Sequence, residues 1–216
     1  MWAYKGVNVH WLGHDSVVLA GSKTVIIDPF KAQGNFKADV LLISHEHFDH
    51  LSEDDIKRFS GPTTTIVAPK ICEEGLKKFP NEKKWIAPGA RLDVKGVTLE
   101  TIPAYNTNKF REPGKVFHPK GDGKLGFVLT VKGVRIYHTG DSDHIPEMRG
   151  IRPDVALVPV SGTYVMTSHE AAESVASIDP KVVIPMHYGA IVGDRKDAEA
   201  FQKLVKCEVK ILEKES

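Results

Sequence analysis

The sequence predicts a layered protein of the α/β (α+β) class, folded as one domain over residues 1–216. Apolar runs of strand length open each half of the chain, and segments with the period and start signals of helices follow them. No linker or change of composition divides the chain, and 216 residues suffice for one substantial core. These patterns predict a fold with layers of helix and sheet, but they do not distinguish between the different folds of that kind.

The first half begins with short strands. Alternating or continuous apolar residues predict strands over residues 7–12, 16–20, 24–27, 39–43 and 63–67. Ser52, followed by three acidic residues, marks the start of a helix with Ile56 and Phe59 on one face. A second helix is expected over residues 69–79, ending before Pro80.

The second half repeats this alternation. Strands are predicted over residues 97–102, 126–131, 134–137, 155–158, 182–184 and 209–212, and helices over 168–178 and 194–205. Residues 105–124, rich in Lys, Gly, Pro and Asn, form the least regular stretch. Loops of that length tend to be functional or mobile.

The most informative segment is His45-Glu46-His47-Phe48-Asp49-His50, directly after the apolar strand 39–43. At the pitch of a strand, alternate side chains point the same way, so the rings of His45 and His47 can face one space. Asp49 and His50 follow on the turn. Imidazole nitrogens and carboxylate oxygens suit zinc, and also manganese or iron. The segment therefore predicts ligands for up to two metal ions, the alternative being a charged, solvated loop.

This pattern, His-x-His-x-Asp-His, resembles the signature of the metallo-β-lactamase-fold hydrolases. Four further segments match in order: Val9 to Ser16, Val25 to Phe30, Tyr137 to Ser142 and Ile184 to Gly189. Within that superfamily the chain is similar to the small bacterial and archaeal hydrolases related to ascorbate-phosphate lactonase. The resemblance spans nearly the whole chain, and it implies a four-layer αββα sandwich.

The resemblance also implies further ligands. Asp141, in Thr139-Gly140-Asp141, matches the residue that bridges both metals, and His187 matches the last ligand of the second metal beside Asp49 and His50. The sequence departs from the family at the first metal site. Asn106 lies about where members of the family usually have a third His. We expect His118 to join His45 and His47 there. The alternatives are Asn106 as a weak ligand or an incomplete first site.

Two other residues match positions of the family that do not contact metal. His14 and Asp28 are expected to orient a ligand ring through a hydrogen bond, or to be structural residues of their turns. The remaining histidines, His10, His138, His144 and His169, are assigned structural roles.

The expected chemistry is hydrolysis of an ester, lactone or phosphodiester bond. Two divalent ions about 3.5–4 Å apart would activate a shared water as hydroxide. Asp49 is the expected catalytic residue, orienting this hydroxide and receiving a proton. The competing interpretations are a non-catalytic or mononuclear metal-binding module of the same fold, and a nucleic-acid-processing phosphodiesterase.

The expected partner is a small-molecule substrate. With 29 basic and 28 acidic residues, the formal charge of +1 gives no strong nucleic-acid signal. Five cations in the irregular stretch could receive an anionic group, or could simply keep a loop solvated: Lys109, Arg111, Lys115, Lys120 and Lys124. The sequence leaves a homo-oligomer open.

The expected location is the cytoplasm. Cys72 and Cys207 lie far apart in no metal-ligand spacing, which favours reduced, independent thiols. No signal peptide is recognisable at the first residues, and no apolar run reaches the roughly 18 residues of a membrane span.

Overall fold

Two seven-stranded sheets form the centre of the protein in a computed structural model that describes residues 1–215. In spatial order the first sheet contains β1 (Trp2–Tyr4), β2 (Val7–Gly13), β3 (Ser16–Ala20), β4 (Thr24–Ile27), β5 (Val40–Leu42), β6 (Thr65–Ala68) and β7 (Glu82–Trp85). Strands β1 to β4 are antiparallel, and β4 to β7 are parallel.

The second sheet is built from the later part of the chain. Its strands are β8 (Arg91–Val94), β9 (Val97–Pro103), β12 (Leu125–Val131), β13 (Val134–His138), β14 (Val155–Pro159), β15 (Val182–Met186) and β16 (Glu208–Val209). Strands β13 to β16 are parallel, whereas β8, β9, β12 and β13 are antiparallel. Strands β10 (Phe110–Glu112) and β11 (Lys115–Val116) form a separate hairpin inside the stretch predicted to be irregular.

Helices cover the outer face of each sheet. Helices α1 (Glu53–Phe59) and α2 (Glu73–Leu76) bury Ile56, Phe59 and Leu76 in a cluster with residues of the first sheet. Helices α3 (Ser168–Ile178) and α4 (Arg195–Leu204) pack beside β14 and β15 of the second sheet. The layers therefore follow the order α, β, β, α, and the predicted four-layer sandwich is confirmed.

The main core lies between the two sheets. Leu19 and Val25 of the first sheet belong to one buried cluster with Phe127 and Leu129 of the second. The strand β12 is buried along nearly its whole length, as expected for a strand with packed layers on both sides. Because this core packs the two sheets against each other, the loops at the edge where the sheets meet are held in place as well.

Two predicted elements differ from the structure. The helix predicted over 69–79 is wrong in extent, because a 3₁₀ turn (Lys70–Cys72) leads into only four α-helical residues, Glu73–Leu76. Gly75 weakens a longer helix there, and a side chain at its position would press against Leu51. The closing strand predicted over 209–212 is shorter, since only Glu208–Val209 pairs with β15.

Both cysteines are free thiols, as the sequence predicted. Across residues 1–215, none of the helices is long and apolar enough to cross a membrane.

Candidate metal centre

The predicted ligands lie at the ends of strands from both sheets. The segment from His45 to His50 follows β5 of the first sheet, while Asp141 follows β13 and His187 follows β15 of the second. Parallel strands place their carboxyl ends at one edge, and the two sheets bring these edges together. His50 and His187, 137 positions apart in the chain, therefore lie side by side.

Three imidazoles form the first donor set. The ligand atoms of His45, His47 and His118 all lie within 4.8 Å of one another. His45 and His118 are buried, and His47 is partly exposed to solvent. The structure thus brings His118 to the place where the sequence analysis expected a third ligand, although its role as a ligand stays a prediction.

The second donor set combines imidazoles and carboxylates. Nε2 of His50 lies 3.4 Å from Oδ1 of Asp141, and Nε2 of His187 lies 3.3 Å from Oδ2 of Asp141. Oδ2 of Asp49 lies 3.9 Å from Nε2 of His50. Since Oδ2 of Asp141 is also 3.5 Å from Nε2 of His118, this carboxylate stands between the two donor sets.

Asp28 and Ser44 orient the ring of His50. Nδ1 of His50 lies 2.9 Å from Oδ2 of Asp28, which also accepts a hydrogen bond from the hydroxyl of Ser44. With Nδ1 donating to this carboxylate, Nε2 of His50 is directed to the donor set. Asp28 therefore has the geometry expected for a residue that positions a ligand.

Asn106 lies behind His118 and orients it. Its Oδ1 is 2.9 Å from both the backbone nitrogen and Nδ1 of His118, so it accepts two hydrogen bonds from one residue. Its amide group donates to the backbone oxygen of Tyr164 and to Oδ1 of Asp143. All four hydrogen-bonding positions of this amide are therefore used by protein groups, and none is left for a metal.

His14, expected either to orient a ligand or to be a structural residue of its turn, contacts Asp49. Its Nε2 lies 3.1 Å from Oδ2 of Asp49, and its ring is buried. His14, Asp28 and His187 all have positive φ, at 52°, 43° and 60°. Non-glycine residues adopt this region at an energetic cost, and such strain is common at functional sites.

The charge states of the two donor sets differ. Burial, together with the neighbouring imidazoles, lowers the pKa of His45 well below its usual value and that of His118 to about 4. Burial would raise the pKa of Asp141, yet the charges of His187 and His50 hold it well below its ordinary value. Burial would lower the pKa of His50 and His187, but the charge of Asp141 raises both, that of His187 to about 9. Neutral imidazoles and ionised carboxylates are the forms that bind metal ions, so an ion at the second set would displace the protons of these two rings.

Several donor atoms at the centre have no hydrogen-bond partner among the described residues, including Nε2 of His50, Nε2 of His187 and Oδ1 of Asp141. Buried polar atoms normally have partners, and unpaired ones destabilise the fold. The atoms left free here are those that bind a divalent cation, and they converge on one space. The residues therefore fit the metal ions that the sequence pattern predicts.

Asp15 also faces this centre, and sequence reasoning missed it. Its ligand atom lies within 4.8 Å of those of His50, Asp141 and His187. Burial raises the pKa of Asp15 well above its usual value. Its place directly after His14, in a segment already singled out, was the only signal that could have pointed to it.

A cavity of about 390 Å³ opens over the donor sets. It is lined by His47, Phe48, Asp49, Phe117, Asp141, Tyr164 and Ile191. Polar donors lie at its base, and aromatic and aliphatic side chains form its remaining wall. A small molecule in this cavity would contact the candidate catalytic residue Asp49.

Most of the five loop cations are paired with carboxylates. Lys109 contacts Glu170 at 2.8 Å, Lys115 contacts Glu112 at 2.8 Å, and Lys120 contacts Glu147 at 2.6 Å. The ammonium of Lys124 is buried and lies 2.6 Å from Glu46. Arg111 is exposed on β10.

Comparison with known proteins identifies the class. A family profile described as a beta-lactamase superfamily domain matches residues 8–187. Proteins from Methanoculleus marisnigri and Archaeoglobus fulgidus, both named metal-dependent hydrolases, are each 33% identical to this chain. These alignments cover 90% and 93% of this chain, and 87% and 91% of the relatives.

A solved structure agrees with this relationship. The crystal structure of a protein from Parabacteroides distasonis, 28% identical, matches with a TM-score of 0.78 over 96% of this chain and 94% of that one. The chain therefore belongs to the β-lactamase superfamily and, within it, to the family of metal-dependent hydrolases that includes the two archaeal relatives. The predicted family and the predicted class of enzyme are confirmed.

Proposed function

We propose that this hydrolase uses two divalent ions to cleave an ester, lactone or phosphodiester bond of a small molecule. The observation that carries the proposal is the position of Asp141. Its Oδ2 is 3.5 Å from Nε2 of His118 of the first donor set, and its Oδ1 is 3.4 Å from Nε2 of His50 of the second. A carboxylate with two oxygens can serve both sets at once, which supports two neighbouring ions rather than one.

Each donor set would hold one ion. His45, His47 and His118 would hold the first, Asp49, His50 and His187 the second, and Asp141 would contact both. When bound, such ions supply Lewis acidity, which lowers the pKa of water between them and polarises an oxygen of the scissile bond. Zinc suits the three imidazoles best, and manganese or iron suit the set with more carboxylates.

Asp49 is the proposed proton acceptor. Its side chain is 15% exposed and lines the cavity, so it reaches both the donor sets and a bound molecule. Burial would raise the pKa of Asp49, but the hydrogen bond with His14 and the charge of His50 lower it below its usual value. Asp49 is therefore ionised at neutral pH. With Oδ2 held by His14, its other oxygen, Oδ1, would accept the proton of the attacking water.

The free thiols of Cys72 and Cys207 support a cytoplasmic location as part of this proposal. Free thiols persist in reducing compartments.

Metal analysis of the purified protein tests the two-ion proposal. We expect about two equivalents per chain, falling towards one in His118→Ala, because loss of one of three imidazoles weakens the first site. His144→Ala is the matched control, since this ring bonds to the hydroxyl of Ser177 and belongs to neither donor set. One equivalent in both the native protein and His118→Ala would refute the two-ion centre.

Turnover of Asp49→Ala tests the proposed catalytic role. We expect kcat with a lactone or bis(p-nitrophenyl) phosphate to fall by roughly two to four orders of magnitude, the usual contribution of a positioned proton acceptor. Circular dichroism and the thermal midpoint should show an intact fold. Near-normal turnover would exclude Asp49 as the proton acceptor, and metal binding without turnover in the native protein would favour a non-catalytic module.

A further inference from the structure

Asp15 is a buried carboxylate without a protein partner. It lies in the turn between β2 and β3, its side chain is fully buried, and within residues 1–215 neither of its oxygens has a hydrogen-bond partner. The structural hydrogen-bonding roles of a buried carboxylate, such as capping a helix or accepting from backbone nitrogens, require a donor, and Asp15 has none among residues 1–215. A carboxylate kept in such a place is expected to face a positive group.

The surroundings of Asp15 indicate which group that is. Its Oδ2 lies 3.7 Å from Nε2 of His14, 3.7 Å from Nε2 of His50 and 3.8 Å from Nε2 of His187. These separations are too long for hydrogen bonds. Distances of this size are instead typical of two ligand atoms that bind the same ion. Nε2 of His50 and Nε2 of His187 also have no hydrogen-bond partner among residues 1–215.

We propose that the Asp15 carboxylate is an additional ligand of the second ion, an inference that builds on the proposed function. The second site then has three carboxylates, from Asp15, Asp49 and Asp141, beside two imidazoles. The first site has three imidazoles and shares only Asp141. Since oxygen-rich sites suit harder cations, the second site takes Mn²⁺ in preference to Zn²⁺ more readily than the first does.

The experiment compares Asp15→Asn with Asp55→Asn. Asp55 is also buried, but its carboxylate accepts hydrogen bonds from the backbone nitrogens of Lys31 and Ala32, so it is a structural control. Each variant is stripped with chelator, its thermal midpoint is recorded, and Mn²⁺ is then added while binding is followed by competition with a chelating dye.

Opposite results are expected from the two variants. Asp15→Asn should keep or raise the midpoint of the metal-free protein, because an unpaired buried carboxylate is removed. Its tighter Mn²⁺ equivalent, which the oxygen-rich second site would hold, should lose at least tenfold in affinity. Asp55→Asn should lower the metal-free midpoint and leave both affinities unchanged. A lowered midpoint with unchanged Mn²⁺ affinity in Asp15→Asn would overturn the proposal.

Failure of the two-ion centre is distinguishable from failure of this proposal. If metal analysis gives one equivalent in both the native protein and His118→Ala, the two-ion centre is refuted, and the role of Asp15 is still decided by the affinity of the Mn²⁺ that binds. A tenfold loss in Asp15→Asn supports Asp15 as a ligand, and an unchanged affinity overturns it.

A second inference concerns the wall of the cavity above the donor sets. Phe48, Phe117, Tyr164 and Ile191 come from four separate parts of the chain and meet at this opening. Phe48 is 69% exposed, and Ile191 and Tyr164 are 41% and 37% exposed. Isolated exposed apolar side chains are ordinary, but a group of them around a polar base is typical of a binding site.

The cations near this part of the chain do not favour an anionic substrate. None of the five loop cations, Arg111 included, lines the cavity, and Lys109, Lys120 and Lys124 are each paired with a glutamate. We infer that the substrate presents an uncharged alkyl or aryl group to this wall, with its scissile bond over the donor sets. This inference also rests on the proposed hydrolase activity.

A series of p-nitrophenyl esters from acetate to hexanoate tests this inference. We expect kcat/KM to rise about threefold per added methylene in the native protein, the value for a partly open apolar surface. Phe48→Ser should flatten this dependence. Phe110→Ser is the control, since Phe110 is 54% exposed but does not line the cavity. The inference would be overturned if kcat/KM of the native protein did not change with the length of the acyl chain, or if Phe48→Ser and Phe110→Ser changed this dependence equally.

Binding of the neutral fluorescent probe N-phenyl-1-naphthylamine separates this inference from the proposed activity. Weaker binding in Phe48→Ser than in Phe110→Ser supports an apolar binding wall even if no ester is hydrolysed. Equal binding in both variants argues against it.

Discussion

Replacing Asn106 by alanine would test how the first donor set is held together. The substitution removes the carbonyl oxygen that accepts hydrogen bonds from the backbone nitrogen and Nδ1 of His118, both at 2.9 Å. It also removes the donor to the backbone oxygen of Tyr164 at 2.8 Å. His118 then loses the partner that directs Nε2 towards His45 and His47. We therefore expect two separable effects, one on stability and one on metal affinity.

The magnitude of each effect follows from these contacts. Asn106 is buried, and its four hydrogen bonds include one long contact, of 3.3 Å, to Asp143. At about 1 kcal/mol net for each, the free energy of unfolding of the metal-free protein should fall by about 3 kcal/mol. For a chain of this size that corresponds to a thermal midpoint lower by about 10 °C. Loss of the hydrogen bond that orients a ligand should weaken the first ion by about 10- to 100-fold.

Thermal unfolding of the metal-free protein and metal titration against a chelating dye measure the two effects separately. Asn108→Ala is the matched control, because Asn108 is exposed and its side-chain amide contacts Glu170 and Lys109, which belong to neither donor set. A destabilised Asn106→Ala with both metal affinities unchanged would refute the reasoning, since His118 would then be neither oriented by Asn106 nor needed by the first ion.

Three further predictions concern the stability of the protein. Gly140→Ala should destabilise the protein by about 3 kcal/mol or more in urea unfolding, because φ is +62° and the new methyl group would lie 2.5 Å from the backbone oxygen of Leu125. Glu46→Gln should cost about 2 kcal/mol in the same assay, since it leaves the buried ammonium of Lys124 without its main partner. Burial raises the pKa of Asp154, but hydrogen bonds from two lysines and a backbone nitrogen bring it to about 2. The depressed pKa of Asp154 stabilises the folded protein at neutral pH, and this stabilisation is lost as the pH falls from about 4 to 2. Asp154→Asn should therefore lower the free energy of unfolding by about 1 kcal/mol at pH 7, and by progressively less towards pH 2.

Much of the candidate site could be anticipated from local patterns. The segment from His45 to His50 combines an apolar strand with a dense group of ligands, which one stretch of sequence is enough to reveal. Asp141 and His187 needed the family resemblance, because a single Asp or His at a strand end is ordinary by itself. His118 was expected by elimination among the histidines, and its ring does lie beside His45 and His47.

Other features depend on neighbours that the sequence does not reveal. Strand β7, Glu82–Trp85, consists mostly of charged residues and is held as the edge of a sheet by pairing with β6. The helix expected over 69–79 shortens where Gly75 packs against Leu51. At β7 a tertiary contact outweighs the local preference, whereas at Gly75 the low helix propensity of glycine acts together with the packing.

The sequence by itself determined the class of fold, the family and the segment that carries most of the proposed metal ligands, because alternation of apolar residues and ligand spacing are local properties. Only the tertiary structure decided that Asp15 faces His50 and His187, and that the amide of Asn106 is fully hydrogen-bonded behind His118. These relations arise where the edges of two sheets meet, so they depend on strand order and packing between residues far apart in the chain.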